Sequence, residues 1–473
     1  MVPDTPSGLT TMPPRTELCT DSRPANEDRH KISPTSSSTT GHASGARTGT
    51  DVDVRCLLIA SMFPPIHGGS AVVYDNLCQS MPAGSIRVLT AKRNYIDNMV
   101  VSGWEAHDAR APYPVDRIDF LRPRILPPPA NVLISAYRLL FQDLPVYSRA
   151  LLAAARIVKM NDINVVCVGE IGTGSWLAMT LRKLFRVKVI IYVHGEEITT
   201  ASGGRFSGNK RQHYLQNADK IVAVSAFTRE ALTGLMHINP ESIALIQNGV
   251  DTKRFTPGPR DEQLIIKHNL TGKKIVVTVG RLVARKGIDK AVLAFKHVLR
   301  DCPATHYLII GDGPLRPELE QIIASEGLSQ NITLVGQVSD TDLVAYLRLC
   351  DAFLMPNRTL ENGDTEGFGL VFREANACSK PVIGGRAGGV VEAVIHNESG
   401  LLVDGNNVHD IAAAIRRILE DNALAECLGK GGLQLARDND IKSGARRFLE
   451  TCESVLGDVH RWPAGKKPSS TVY

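Results

Sequence analysis

Glu366 and Glu374 bracket the segment Glu366-Gly367-Phe368-Gly369-Leu370-Val371-Phe372-Arg373-Glu374. Glycines stand just inside the first carboxylate, and the apolar run after them reads as a helix starting near Leu370. Such a start leaves unpaired backbone N–H groups and a positive dipole end facing outward beside Gly367 and Gly369. Glu374 then projects from the second turn, while Glu366 sits before the helix. Carboxylates that accept hydrogen bonds from sugar and ribose hydroxyls, beside bare amides for a phosphate, are what a nucleotide sugar needs. The segment points to a donor-binding site.

Three further segments carry matching chemistry. Gly280-Arg281-Leu282-Val283-Ala284-Arg285-Lys286-Gly287 follows an apolar run and offers a forked donor at Arg281 and a point charge at Lys286, both suited to a diphosphate. Neutralising the leaving group is the main electrostatic task when a sugar departs from a nucleoside diphosphate. Phe63-Pro64-Pro65-Ile66-His67-Gly68-Gly69-Ser70 sets Gly68 and Gly69 between a strand and a helix, where backbone amides can approach a ligand closely. His194-Gly195-Glu196-Glu197 ends another strand, and a histidine there can hydrogen-bond a substrate hydroxyl and stabilise developing positive charge. The structural alternatives are a solvated loop, a tight turn, and a capping or core histidine. Gly311-Asp312-Gly313-Pro314 is a weaker signal, readable as a turn alone.

These residues need a scaffold that places them at strand ends. From Val54 onward, β-branched runs alternate with helical stretches. Cys56–Ala60, Ile86–Thr90, Val165–Val168, Val187–Val193 and Lys220–Val224 read as strands of a parallel, helix-covered sheet. After a break at Thr256-Pro257-Gly258-Pro259, a second series comprises Ile275–Val279, Tyr307–Ile310, Thr333–Val335, Ala352–Met355, Pro381–Ile383 and Leu401–Val403. The expected fold class is α/β: two doubly wound Rossmann-like domains with ligand sites at the carboxyl ends of their strands. The expected boundaries are a first Rossmann-like domain over 51–255, a second over 256–440, and a final amphipathic helix (about Ser443 to Leu456) with a loose tail over 441–473. Residues 1–50, rich in Ser, Thr, Pro and Gly, read as a disordered extension. A transit peptide is the alternative, but Asp4, Glu17, Asp21, Glu27 and Asp28 fit it poorly.

Composition removes other classes. The net charge of +5, from 54 basic and 49 acidic residues, is mild, and no basic run alternates with aromatics, so nucleic acid is not an expected partner. Nine cysteines are scattered without a CxxC pair, which reads as buried free thiols in a reducing compartment. No apolar stretch approaches the ~18 residues of a bilayer span and no signal core opens the chain, so a cytoplasmic location is expected. The spacing at Gly68-Gly69 is not GxGxxG, which weighs against hydride transfer. No other His or Cys falls at ligand spacing near His194, so no metal site is expected there.

Taken in order, these motifs resemble the retaining glycosyltransferases of family 4, the group-1 family with the GT-B fold. The resemblance covers about Cys56 to Leu419 and includes Gly68-Gly69, His194-Gly195-Glu196, Ser225-Ala226-Phe227-Thr228, Asn248-Gly249-Val250-Asp251, Gly280-Arg281-Leu282, Arg285-Lys286-Gly287, Gly311-Asp312-Gly313-Pro314 and the paired glutamates. Gly388-Gly389 with Glu392 and Gly400-Leu401-Leu402-Val403 continue it. The resemblance implies that Arg281 and Lys286 grip the donor diphosphate and that Glu374 holds the ribose. It implies that Glu366, with the backbone of Gly367, Phe368, Gly369 and Leu370, holds the transferred sugar. His194 would contact that sugar from the opposite domain, and Gly68-Gly69 would close over the phosphate side. Such enzymes use no metal and no cofactor, the nucleotide sugar being a substrate; front-face attack is the usual proposal. Asp51-Val52-Asp53 and Asp438-Asn439-Asp440 match the short DxD pattern of metal-dependent transferases of another fold, and are read here as solvated acids.

A nucleoside-diphosphate sugar, GDP-mannose or a UDP-sugar, and a glycan or lipid-linked acceptor are thus the expected partners. Acceptor candidates are the loop Glu170-Ile171-Gly172-Thr173-Gly174 and the segment Arg205 to His213 with Lys210 and Arg211. An anionic membrane surface is a further candidate partner. It would meet the Arg117 to Arg138 stretch, with Arg122 and Arg124, or the group Arg182, Lys183, Arg186 and Lys188. The alternative for both groups is an ordinary solvated helix face. Rival functions are a catalytically silent nucleotide-sugar-binding protein of the same fold and a related epimerase or phosphorylase.

Overall fold

A computed structural model describes residues 53–66, 68–127, 131–200 and 207–457. The expected disordered extension 1–50, Asp51 and Val52, His67, Arg205 and the expected loose tail lie outside the described residues.

The β-branched runs form two parallel sheets. The first contains β1 (Cys56–Ile59), β2 (Ile86–Ala91), β3 (Val115–Ile118), β4 (Val165–Val168), β5 (Lys188–Val193), β6 (Lys220–Ala223) and β7 (Ile243–Leu245), in the order β3-β2-β1-β4-β5-β6-β7. The second contains β8 (Lys274–Val279), β9 (Thr305–Ile310), β10 (Ile332–Gly336), β11 (Ala352–Met355), β12 (Val382–Gly385) and β13 (Gly400–Val403), in the order β10-β9-β8-β11-β12-β13. Continuous apolar runs such as Cys56–Ile59 and Val165–Val168 are buried throughout. Sheets covered by helices on both faces demand this. Order reverses between β1 and β4 and between β8 and β11, which opens a crevice at the carboxyl ends of each sheet. This is the expected GT-B arrangement.

Every strand expected from the sequence is present. The structure adds β3 and β7, the two edge strands of the first sheet, neither of which is a long apolar run. The final helix spans Ile441–Gly457 and returns to the first sheet, packing on the helix Gly69–Ser80. Its Phe448 ring lies 6.4 Å from Tyr192 of β5, and Phe448 and Cys452 are fully buried. Asp438-Asn439-Asp440 forms the crossover: Val250 N–H donates to the Asn439 carbonyl and Thr252 Oγ1 donates to Asp440. That DxD match is therefore a backbone junction.

Candidate active site

The helix expected near Leu370 begins there and runs to Ala377, with Gly369 before it in the left-handed region at φ 89°. No side chain caps it and no acid occupies its first turn, so its first amides remain open to an anion. On the other sheet, the helix Gly69–Ser80 starts in the same way, after Gly68, with neither a side-chain cap nor an acid. Gly68 and Gly69 are exposed, and a side chain at either would meet nothing within 4 Å.

The two lobes meet at Gly367. A Cβ there would stand 1.7 Å from the His194 carbonyl oxygen, so only glycine permits this approach. Ser225, also from the first lobe, donates its hydroxyl to the Gly367 carbonyl at 2.8 Å. His194 and the Glu366–Gly369 turn, far apart in sequence, thus face each other across the crevice.

Glu366 is held by cations. Lys286 Nζ lies 2.5 Å from its Oε2, Asn357 Nδ2 lies 3.4 Å away, and Arg285 Nε lies 3.9 Å away. Burial pushes the Glu366 carboxyl up, but Lys286 and Arg285 outweigh it and leave the group below its ordinary value. Lys286, expected on the diphosphate, is thus bonded to Glu366; with both side chains half-buried, the ammonium takes the nearest anion. Arg281 is exposed, and its guanidinium has no partner among the described residues. Arg285 spans the crevice, 3.2 Å from Glu196 of the first lobe and 3.7 Å from Asp364 of the second.

Glu374 is 8% exposed and its carboxylate accepts no hydrogen bond among the described residues. Burial pushes it up to about 7, with Arg254 opposing and Asp340 reinforcing the shift. A buried carboxylate without donors is costly, and a ligand diol would supply them. His194 is wedged between two tyrosines: Nε2 lies 2.7 Å from Tyr74 Oη, and its ring stacks on Tyr192 at 5.3 Å. Burial lowers the imidazole to about 4. Phe368 is buried under Arg373, so only its backbone is available to a ligand.

Some expectations need correction. Glu170-Ile171-Gly172-Thr173-Gly174 is not a loop: the helix Ile171–Phe185 starts there, with Thr173 and Ser175 buried. Glu170 is used in the fold, taking the Ser61 hydroxyl and the Met62 N–H. Arg117 is not a surface cation; its side chain is 1% exposed and binds Asp108 and the carbonyls of Ala91 and Pro64. Arg182 and Lys188 both pair with Asp219, which neutralises part of that basic group. Tyr74, Asn357 and Arg254 gave no signal in the sequence. Arg285 sat inside the basic segment but was overshadowed by Arg281 and Lys286.

Known proteins share this chain's family and fold. The description "Glycosyltransferase Family 4" matches residues 68–254, and "Glycosyl transferases group 1" matches 260–434. A GDP-mannose-dependent alpha-(1-6)-phosphatidylinositol monomannoside mannosyltransferase of Mycobacterium tuberculosis is 30% identical over 380 residues, covering 80% of this chain and 92% of that protein. A monoacylated-substrate counterpart of Corynebacterium glutamicum is 27% identical over 384 residues, covering 80% and 92%. Among solved structures, Anabaena HepE with UDP and glucose superposes with a TM-score of 0.67 at 19% identity, covering 85% of this chain and 100% of that one. Two parallel-sheet lobes that meet at Gly367 and these matches lead to one conclusion: the chain belongs to the group 1, family 4 glycosyltransferases, with the GT-B fold.

Proposed function

We propose that this glycosyltransferase moves a hexose, with retention of configuration, from a nucleoside-diphosphate sugar to a lipid-linked glycan acceptor. The observation that carries the reading is the meeting of His194 with the Glu366-Gly367 turn, where Lys286 holds the Glu366 carboxylate. GDP-mannose is the first donor to test, and a phosphatidylinositol mannoside the first acceptor, because the mycobacterial and corynebacterial relatives carry those names. In this reading the bond from C1 of the sugar to the diphosphate oxygen breaks while an acceptor oxygen bonds C1 from the same face. The acceptor proton passes to the departing phosphate oxygen. Arg281, Lys286 and the open amides at Leu370 neutralise the leaving group. Glu366 and Glu374 receive hydroxyls of the sugar and the ribose. Side chains and helix dipole supply this charge, so no metal or cofactor is assigned a role. Contact between the lobes excludes water from C1.

The acceptor side also fits an anionic membrane surface. The helical run 132–144 exposes Val132, Leu133, Tyr137, Leu140, Phe141 and Leu144, with Arg124 and Arg149 exposed near it in sequence. Among the described residues no helix is long and apolar enough to cross a membrane. An exposed apolar face with flanking cations suits a peripheral contact.

Radiolabelled GDP-mannose, UDP-glucose and UDP-N-acetylglucosamine, each offered with phosphatidylinositol mannosides and with no acceptor, test the reading. Transfer from one donor, with an α-linkage in the product by NMR coupling, is the expected result. Binding of a donor without transfer or hydrolysis would replace it with the silent binding protein.

A further inference from the structure

The hydrogen bonds around His194 run in one direction. A carbonyl oxygen can only accept, so the Tyr74 hydroxyl, bonded to the Gly169 carbonyl, spends its one hydrogen there. The contact is built in: a Cβ at Gly169 would stand 2.7 Å from the Tyr74 ring. The oxygen of Tyr74 retains only lone pairs for His194 Nε2 at 2.7 Å. Tyr74 is fully buried, and burial holds its phenol well above its ordinary value, so it stays neutral. His194 likewise stays neutral, lowered to about 4 by burial. A neutral imidazole carries one hydrogen, and Nε2 must carry it to donate to Tyr74. Nδ1 is then a bare acceptor, and no hydrogen bond occupies it among the described residues. The ring cannot easily turn to present the other nitrogen. It lies stacked on Tyr192, with the Tyr74 ring at its edge 5.3 Å away, and its own backbone N–H is tied to Glu197 Oε1 at 3.0 Å.

We propose that Tyr74 is a positioning residue that fixes His194 in the Nε2–H tautomer, so that Nδ1 selects a donor sugar by accepting a hydrogen bond from one of its free hydroxyls. The ligand class follows: a hexosyl donor with an unsubstituted hydroxyl at the position facing His194. A donor carrying fluorine or a methyl ether there would leave Nδ1 facing an acceptor and be refused. This inference rests on the glycosyltransfer reading for its substrate, but the tautomer itself does not.

Two experiments separate those layers. In the full chain labelled with 15N-histidine, His194 resonances are assigned by difference with His194→Gln. A protonated-type Nε2 and a bare-type Nδ1 are expected in the wild type, and a mixture of tautomers in Tyr74→Phe. A protonated Nδ1 in the wild type overturns the proposal whether or not any donor is turned over. The second experiment compares native, deoxyfluoro and O-methyl donors at each sugar position. One position is expected to lose at least about tenfold in kcat/KM on fluorination in the wild type, and much less in Tyr74→Phe. Equal discrimination in a folded Tyr74→Phe variant overturns the selective role. Should no nucleotide sugar react at all, the functional reading falls while the NMR result still decides the tautomer.

Discussion

Glu392 stands on the second lobe, yet its carboxylate caps the first turn of a helix in the first lobe at Ala226. Its Oε2 accepts the Ala226 N–H at 2.8 Å, and its Oε1 accepts the Phe227 N–H at 3.0 Å. Gln247 Nε2 adds a third donor at 2.9 Å. The helix Ala226–Met236 therefore takes part of its N-terminal satisfaction from across the crevice. One turn before Glu392, the Gly389 N–H donates to the Glu366 carbonyl, so the latch is tied directly to the Glu366–Gly369 turn.

Glu392→Gln keeps the size but replaces one accepting oxygen with an amide that faces another N–H. Charge-assisted hydrogen bonds are worth about 1.5–3 kcal/mol each, so a loss of roughly that size in stability is expected. The lobes should separate more readily, visible as a larger radius of gyration in X-ray scattering and a higher KM for the donor. An unchanged scattering profile with unchanged KM would show that the latch does not hold the lobes together.

Arg281 and Lys286 should behave differently, although the sequence presents them as equivalents. Arg281→Ala removes an exposed side chain with no partner among the described residues, so the melting temperature should stay within the range of a change of about 0.5 kcal/mol. If Arg281 grips the diphosphate as proposed, transfer should fall about 10²–10³-fold, because an oriented charge on the leaving group is lost. Lys286→Ala leaves Glu366 half-buried with its nearest cation gone, so both melting temperature and turnover should drop. Equal effects of the two changes on melting would contradict the Lys286–Glu366 pairing.

The contrast shows what the sequence could and could not disclose. Strand runs such as Val165–Val168 were readable because burial on both faces requires continuous apolar residues. The edge strand Val115–Ile118, with Asp116 and Arg117 inside it, has no such requirement and was not. The glycines of the Glu366–Gly369 turn announced themselves, since no side chain fits where Gly367 meets His194. The pairing of Lys286 with Glu366, the latch at Glu392 and the role of Tyr74 depend on which elements the chain brings together. Spacing along one chain carries no information about such contacts between lobes.

The membrane contact proposed for the apolar face at 132–144 should be separable from transfer. Leu140→Ser with Phe141→Ser removes two exposed side chains, so the fold should be unaffected or slightly more soluble. Sedimentation with vesicles containing phosphatidylinositol should fall several-fold, while hydrolysis of the donor without acceptor should not change. Binding of the wild type should also weaken as salt rises, because flanking arginines contribute an electrostatic share. Undiminished vesicle binding by the double variant would place the contact elsewhere.

Glu374 gives the pH dependence. Its carboxyl is raised to about 7 by burial, from an ordinary 4.5. A group whose folded value is raised favours the folded state most at low pH. That contribution fades as pH climbs from about 4.5 to about 7, when the buried group is forced to ionise. At about 1.36 kcal/mol per pKa unit the penalty approaches roughly 3 kcal/mol as an upper bound. Glu374→Gln removes the charge, so it should melt above the wild type near pH 8 and close to it near pH 5. Donor binding should run the other way. In the proposed reading ribose hydroxyls donate to the ionised form, so wild-type affinity should fall about tenfold per pH unit below about 7, with proton release on binding. Calorimetry in two buffers of different ionisation enthalpy measures that release directly. Glu374→Gln should bind weakly at every pH and release no proton; a variant that binds a nucleoside diphosphate sugar as tightly as the wild type, with the same pH profile, would remove Glu374 from the ribose site.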